Sequence, residues 1–312
     1  MTHKLDRLFR KKTPCIVISD FEGEKLEVYT LKEAKEAGIE FCIDHNRTHR
    51  AHTLSLTKKP SSFDAYNAKF QHVIEEIKSG NTYLLNLTQP TPIELHNTTL
   101  EEIFLHANAP YKIKYKNRFV CFSPETFIQI QNNTVTTFPM KGTIDATLPN
   151  AAETILADQK EMAEHVMVVD LLRNDLGIVA DQIKVEQFRY ITRIDTSEKS
   201  LLQVSSKING VLPKEWRENF SSVFLPLLPA GSISGTPKKK TVELIKKIEN
   251  YERGFFSGVF GYFDGENFDS CVMIRFIEKT PHGYIYKSGG GITIESHAMA
   301  EYREMLDKVY IP

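Results

Sequence analysis

Cysteine is scarce in this chain and unpatterned. Cys15, Cys42, Cys121 and Cys271 are scattered, with no C-x-x-C or zinc-like spacing. That excludes a thiolate metal centre and a disulfide framework, and leaves reduced thiols as the expectation. No apolar run approaches the ~20 residues that a membrane span needs. The start, MTHKLDRLFRKKTP, is basic but lacks the apolar stretch of a signal peptide. An excess of one charge is missing too: 39 Lys and Arg stand against 40 Asp and Glu, a net charge of −1. No global field therefore favours nucleic acid or a membrane surface as partner. Repeats and low-complexity linkers are absent. The expectation is a cytoplasmic globular protein.

What is present supports a sizeable core. Hydrophobic residues make up 41% of 312 and charged residues 25%, ordinary values for a folded domain. Short strands fit 14–21, 25–31 and 40–45, followed by a polar stretch at 48–63. A helix fits 61–80, with Phe70, Val73, Ile74 and Ile77 on one face and Gly80 as its stop. Strand-like 81–95 follows, and Asn132-Asn133 marks a hairpin within 118–139. Residues 151–176 read as one long helix, 213–224 and 237–250 as further helices, and 297–310 as the last. Strands are expected in 183–188, 200–212, 256–263, 270–278 and 283–292. They come in pairs without regularly interleaved helices, so an α+β fold of antiparallel sheets with outer helices is favoured over βαβ repetition. The division expected is a strand segment, 1–60, packed on a catalytic domain, 61–312.

The chemistry gathers in a few motifs. Glu161 and Glu164 lie in KEMAEHVMVVDLLRNDLG (160–177), and Glu301 and Glu304 in HAMAEYREMLDKVY (297–310). Carboxylates three apart share a helix face. Two such faces brought together offer the hard oxygen ligands that Mg2+ takes; kept apart, they are ordinary solvated helix faces. Lys308, four past Glu304, adds an ammonium to the second face. GSISGTPKKK (231–240) is a glycine-rich turn entering a helix at Thr236 and Pro237, a possible anion site. Gly289, Gly290 and Gly291 stand between strands, as a close backbone approach or as a tight turn. Arg275 is read on an apolar strand, where it needs an anion: a structural ion pair or a substrate carboxylate.

In order, SPET, PMKGT, KEMAEHVMVVDLLRNDLG, GSISGTPK, RGFFSGVFGY, IRF, GGGI and EYREM resemble the chorismate-utilising enzymes, which include anthranilate, aminodeoxychorismate, isochorismate and salicylate synthases. The resemblance covers most of 65–310. It implies two packed antiparallel sheets with helices outside and the active site between the sheets. It implies Mg2+ held chiefly by Glu164 and Glu304, with Glu161 and Glu301 in support. It also implies chorismate bound by Arg275, Lys308 and the Gly289–Gly291 main chain, with Thr143, Gln203 and Thr236 as further contacts.

Within that family the chain most resembles the aminodeoxychorismate synthase large component, in the p-aminobenzoate branch of folate synthesis, because lysine stands at 141 where anthranilate synthases have alanine. Lys141 is then the nucleophile and Glu125 the general acid. Free lysine is protonated near pH 7, so burial or a neighbouring cation is expected to lower it. Departures from the pattern are Leu84, Gln203 for a usual histidine, and Phe256 for a usual tyrosine. Leucine at 84 cannot activate water as lysine does in isochorismate synthases. No amidotransferase triad is visible, so ammonia is expected from a separate glutamine amidotransferase subunit. The tryptophan-binding segment of feedback-regulated relatives is not visible either, so tryptophan is not expected to inhibit. The rival readings are anthranilate synthase component I and a non-catalytic chorismate-binding paralogue.

Overall fold

Every side chain of the strand Cys15–Ser19 is buried. Successive side chains point to opposite faces of a strand; Cys15 and Val17 enter one core while Ile16 and Ile18 enter another. Such a strand is covered on both faces. The computed structural model describes residues 1–45, 54–195 and 200–312. In it the strands form two sheets, paired antiparallel throughout. One runs Met140–Asp145, Ser200–Val211, Thr134–Thr137, Thr126–Gln131, Phe268–Val272, Val259–Phe263, Cys15–Ser19 and Leu26–Thr30, with Asp181–Asp195 also on Ser200–Val211. The other runs Gly235–Thr236, Leu84–Leu95, Gly283–Ile292, Phe276–Thr280, Phe119–Ser123, Tyr111–Tyr115 and Ile39–Ile43, with Leu56–Lys58 also on Leu84–Leu95. Side chains of both sheets share two cores, and a third lies under the helix Leu100–His106.

The chain changes sheets at two corners that matter below. Phe119–Ser123 passes to Thr126–Gln131 through Pro124 and Glu125, and Phe268–Val272 passes to Phe276–Thr280 through 273–275. The corners are tied together: Val272 N–H donates to the Glu125 carbonyl at 3.1 Å, and Phe122 N–H to that of Arg275 at 3.0 Å. Arg275 is therefore not on a strand, as the sequence suggested. It occupies the bend with φ +54°, a conformation non-glycine residues adopt at an energetic cost.

Several elements follow their local signals. Ser62 caps Phe63–Lys78 by accepting from Ala65 N–H, and Asn132 and Asn133 both take positive φ at the hairpin, as a tight two-residue turn requires. Others depart. The stretch 151–176 is two helices, Ala151–Ala157 and Gln159–Gly177, because Asp158 turns extended and accepts from Glu161 N–H at 2.9 Å. That is an N-cap, which aspartate favours over a helix interior. Residues 214–220 form turns, and of 213–224 only Ser221–Phe224 is helical. The triple glycine lies within the strand Gly283–Ile292, paired with Leu84–Leu95, rather than between strands.

The first residues also hold two helices that the sequence reading took as strands and loops, Thr2–Arg10 and Leu31–Glu36. Leu5, Leu8 and Phe9 share one face of Thr2–Arg10 and are buried, with Phe9 stacked between Phe220 and Phe263. Burial of each such side chain contributes about 1.5–3 kcal/mol. Strands from the first 45 residues extend an end of each sheet. The polar stretch 48–63 lies partly outside the described residues; within it Leu56–Lys58 forms a short strand.

Candidate active site

Lys141 lies on the strand Met140–Asp145, where the pairing with Ser200–Val211 slips between Met140 and Thr143. A slip of this kind re-aims the side chains of the bulged strand. Gly142 follows with φ +91°, and a Cβ there would meet Glu161 Oε2 at 3.0 Å. Lys141 Nζ stands 2.7 Å from Glu164 Oε2. Burial works to lower this ammonium, but Glu164, with Glu161 and Glu304 behind it, outweighs burial and holds it above its ordinary range. The direction is opposite to the one expected from the sequence. Neighbouring carboxylates, not cations, surround this lysine.

The cap at Asp158 sets the start of Gln159–Gly177 so that Glu161 and Glu164 both turn toward Met140–Asp145. Glu164 is nearly buried, and Lys160 Nζ lies 3.8 Å from its second oxygen. Burial raises Glu161; Lys141 pulls it down and Glu164 adds to the rise. Its Oε2 is buried without a hydrogen-bond partner. From the last helix, Ala298–Asp307, Glu301 Oε1 accepts from Ser296 Oγ at 2.8 Å, and Glu304 Oε1 lies 2.7 Å from Lys308 Nζ. Burial raises Glu301, whereas for Glu304 the lysines 308, 141 and 160 more than offset burial and lower it. Lys141 thus feels glutamates from both of the helices that carry the Glu-x-x-Glu pairs. Among the described residues, however, no three His, Cys, Asp or Glu side chains gather closely enough to hold an ion; ammonium groups stand among them. The donor set itself suits a hard cation: four carboxylates, one with an unpartnered buried oxygen.

Gly290 faces this cluster. A Cβ there would lie 3.4 Å from Glu301 Oε2, 3.6 Å from Lys308 Nζ and 3.9 Å from Glu304 Oε1. Gly289 presses on its neighbour strand, where a Cβ would sit 2.2 Å from the Leu87 carbonyl, so a side chain is excluded there. Lys308, the C-cap of the last helix, also donates to the Gly289 carbonyl at 2.8 Å. Arg275 Nη1 donates to the Lys308 carbonyl at 2.8 Å, and the guanidinium covers the Tyr310 ring.

Glu125 and Lys141 line one cavity between the sheets with Leu84, Ser232, Asp175 and Gly291. Burial raises the Glu125 carboxyl, while the Ser232 hydroxyl, which donates to its Oε1, and Lys308 pull it down; the net direction is up. A carboxyl raised by burial at the wall of a cavity is suited to donating a proton. Asp175 holds Lys238 at 2.7 Å, tying Gln159–Gly177 to the helix after the glycine-rich turn. Leu84 leaves an apolar wall beside Gly291, and Phe256 is buried in a core.

Of the expected substrate contacts Gly291 lines this cavity, whereas Arg275, Lys308, Gly289, Gly290, Thr143, Gln203 and Thr236 are not among its lining residues. Thr143 is exposed, opposite Gln203 in the sheet, and the Thr236 carbonyl is taken by Tyr83 N–H and the Thr82 hydroxyl. Ser232 and Asp175, which the motifs GSISGTPKKK and KEMAEHVMVVDLLRNDLG contain without marking as site residues, do line the cavity. His165, next to Glu164, is unmarked as well; it is fully buried with Nε2 2.7 Å from Ser206 Oγ.

A protein-family model described as chorismate binding enzyme matches residues 13–312. The chain belongs to the chorismate-binding enzyme family. It is 47% identical to an uncharacterised PabA-like protein of Haemophilus influenzae, over 97% of this chain and 93% of that one. It is 32% identical to aminodeoxychorismate synthase component 1 of Escherichia coli, over 79% of this chain and 56% of that one. The chain therefore spans little more than half of that relative. Among solved structures, the menaquinone-specific isochorismate synthase of Escherichia coli superposes with a TM-score of 0.77 at 16% identity, over 98% of this chain and 79% of that one. Anthranilate synthase component I of Streptococcus pneumoniae superposes at 0.70 and 24% identity, over 84% and 60%. At such identities the likeness concerns the fold, and it matches the two antiparallel sheets and outer helices found here.

Proposed function

We propose that this family member is a transferase that converts chorismate and ammonia to 4-amino-4-deoxychorismate. The observation that carries the reading is the pair of groups on one cavity wall, an amine at Lys141 and a carboxyl raised by burial at Glu125. Lys141, once it has given a proton to Glu164 2.7 Å away, attacks chorismate C2 as the C4–O bond breaks and the ring double bonds shift. Glu125 gives its proton to the departing hydroxyl, which leaves as water, because hydroxide is a poor leaving group. The product of this step is a secondary ammonium joining Lys141 to C2, with Glu125 left as a carboxylate. Ammonia then bonds to C4, the double bonds shift back, the C2–N bond breaks to release Lys141 as a neutral amine, and the new C4 ammonium returns a proton to Glu125. Atoms balance: chorismate and ammonia give aminodeoxychorismate and water.

Glu161, Glu164, Glu301 and Glu304 would hold Mg2+ in this reading. The bound ion would neutralise the carboxylate of the substrate ring beside them. The Gly289–Gly291 main chain and Lys308 face the same place and suit the second carboxylate. Ammonia would come from a separate glutamine amidotransferase subunit, consistent with the component 1 name of the relatives at 28–32% identity. A second reading, anthranilate synthase component I, has support from a relative of that name in Acetivibrio thermocellus, 34% identical over 64% of this chain. Incubation of the purified protein with chorismate, Mg2+ and ammonium separates the two. Aminodeoxychorismate is the product expected; anthranilate as main product overturns the assignment.

A further inference from the structure

We propose that Lys141 has a second role, as an internal cation that competes with a divalent metal ion for Glu164, so that metal loading displaces its ammonium toward the cavity. This rests on reading the four glutamates as metal ligands and is independent of the covalent step. The charges around Glu164 motivate it. Lys141 stands 2.7 Å from Oε2 and Lys160 3.8 Å from Oε1, so both oxygens of the most buried of the four carboxylates face ammonium groups. A hard divalent ion binds through such oxygens.

The lysines of the cluster are not equivalent. Lys308 is tethered twice, to Glu304 at 2.7 Å and to the Gly289 carbonyl at 2.8 Å. Lys160 is half-exposed and more distant. Among the described residues the Lys141 ammonium is held by Glu164 alone, and its side chain already lines the cavity. It is the cation that can leave Glu164 and find its other task at hand. A doubly charged ion attracts a carboxylate more strongly than an ammonium does at the same distance. It must nevertheless give up part of that gain to break the existing pair. The coupling is reciprocal: whatever Lys141 subtracts from metal affinity, the metal subtracts from the hold of Glu164 on Lys141.

The test counts Mn2+ bound to the full chain, without substrate, from the electron paramagnetic resonance signal of the free ion. Mn2+ shares the carboxylate preference of Mg2+. Lys141→Met should bind Mn2+ about tenfold more tightly than wild type, the scale of a typical coupling between two sites. Lys141→Gln, which keeps a polar end, should shift in the same direction. Lys160→Met should gain less than about threefold, because exposed charges are screened. Glu164→Gln should bind more weakly than all of these. If both Lys141 variants bind Mn2+ no more tightly than wild type while Glu164→Gln binds less, the competition is wrong and the metal site stands. If wild type and every variant bind no Mn2+, both ideas fall.

Discussion

Two ionic clusters are built into this molecule, and they differ in how completely they are satisfied. Around Arg253, every group has an answer. The guanidinium donates to both oxygens of Glu249, at 2.9 and 2.6 Å, and to the carbonyls of Ile233 and Asn86. Glu249 also accepts from Thr88 N–H and hydroxyl, and the pair is almost fully shielded from solvent. Around Lys141, four carboxylates meet three lysines, one buried carboxylate oxygen has no partner, and Lys141 and Lys308 keep about 30% of their side-chain surface. The first cluster is complete without a ligand and fixes the glycine-rich turn to the strand Leu84–Leu95. The second is incomplete, beside a cavity. Saturation separates an ion pair that completes a fold from a charge cluster with unanswered groups beside a cavity.

The comparison breaks most clearly if substitutions near the cavity fail to damage chemistry. Glu125→Gln keeps the shape of the side chain but has no proton to give; kcat for aminodeoxychorismate should fall about 10²–10⁴-fold with the melting temperature little changed. Unchanged kcat would remove Glu125 from the mechanism. Arg253→Leu tests the other cluster. It leaves the Glu249 charge buried and unpaired, and stability should fall by about 3–5 kcal/mol, read from urea unfolding. A loss under about 1 kcal/mol, the level of an exposed pair, would make the saturated cluster dispensable.

Smaller effects sharpen the contrast. Glu304→Ala should weaken Mg2+-dependent chorismate binding roughly tenfold, the scale of one charge-assisted contact, without the stability loss of Arg253→Leu. Titration calorimetry at limiting Mg2+ decides it, and wild-type affinity would count against the glutamates as ligands. Smallest is Ser232→Ala. The Ser232 hydroxyl lowers the Glu125 carboxyl, so its removal lets that carboxyl titrate higher. Glu125 acts as an acid only while protonated, so activity is present below its folded-state pKa and lost as pH rises through it. The alkaline limb of kcat should therefore move to higher pH. A limb that moves down, or stays, contradicts the assigned contact.

How far the sequence reached follows the same division. Local signals sufficed where a residue acts through its neighbours: the hairpin at Asn132-Asn133, the Ser62 cap, the paired glutamates on single helix turns. One local signal escaped that reading: aspartate followed three residues later by glutamate is a start signal, and Asp158 caps at Glu161 rather than continuing the helix. Long-range contacts were silent. Trp216 and Phe220 sit in a helix-like run that Phe9, 200 residues away, instead draws into turns. Arg275 looks like a strand residue because the flanks are strands; that these belong to different sheets is a property of topology. The direction of the Lys141 shift was misjudged for the same reason. Burial is guessable from apolar flanks, but the distance to Glu164 is not.

The measurement closest to the centre of the account is mass spectrometry of the wild-type protein quenched with chorismate and Mg2+ in the absence of ammonia. The account predicts a chorismate-derived adduct on the peptide that contains Lys141, absent from Lys141→Ala. The same preparation forming aminodeoxychorismate once ammonium is added, yet never carrying an adduct at Lys141, would contradict it.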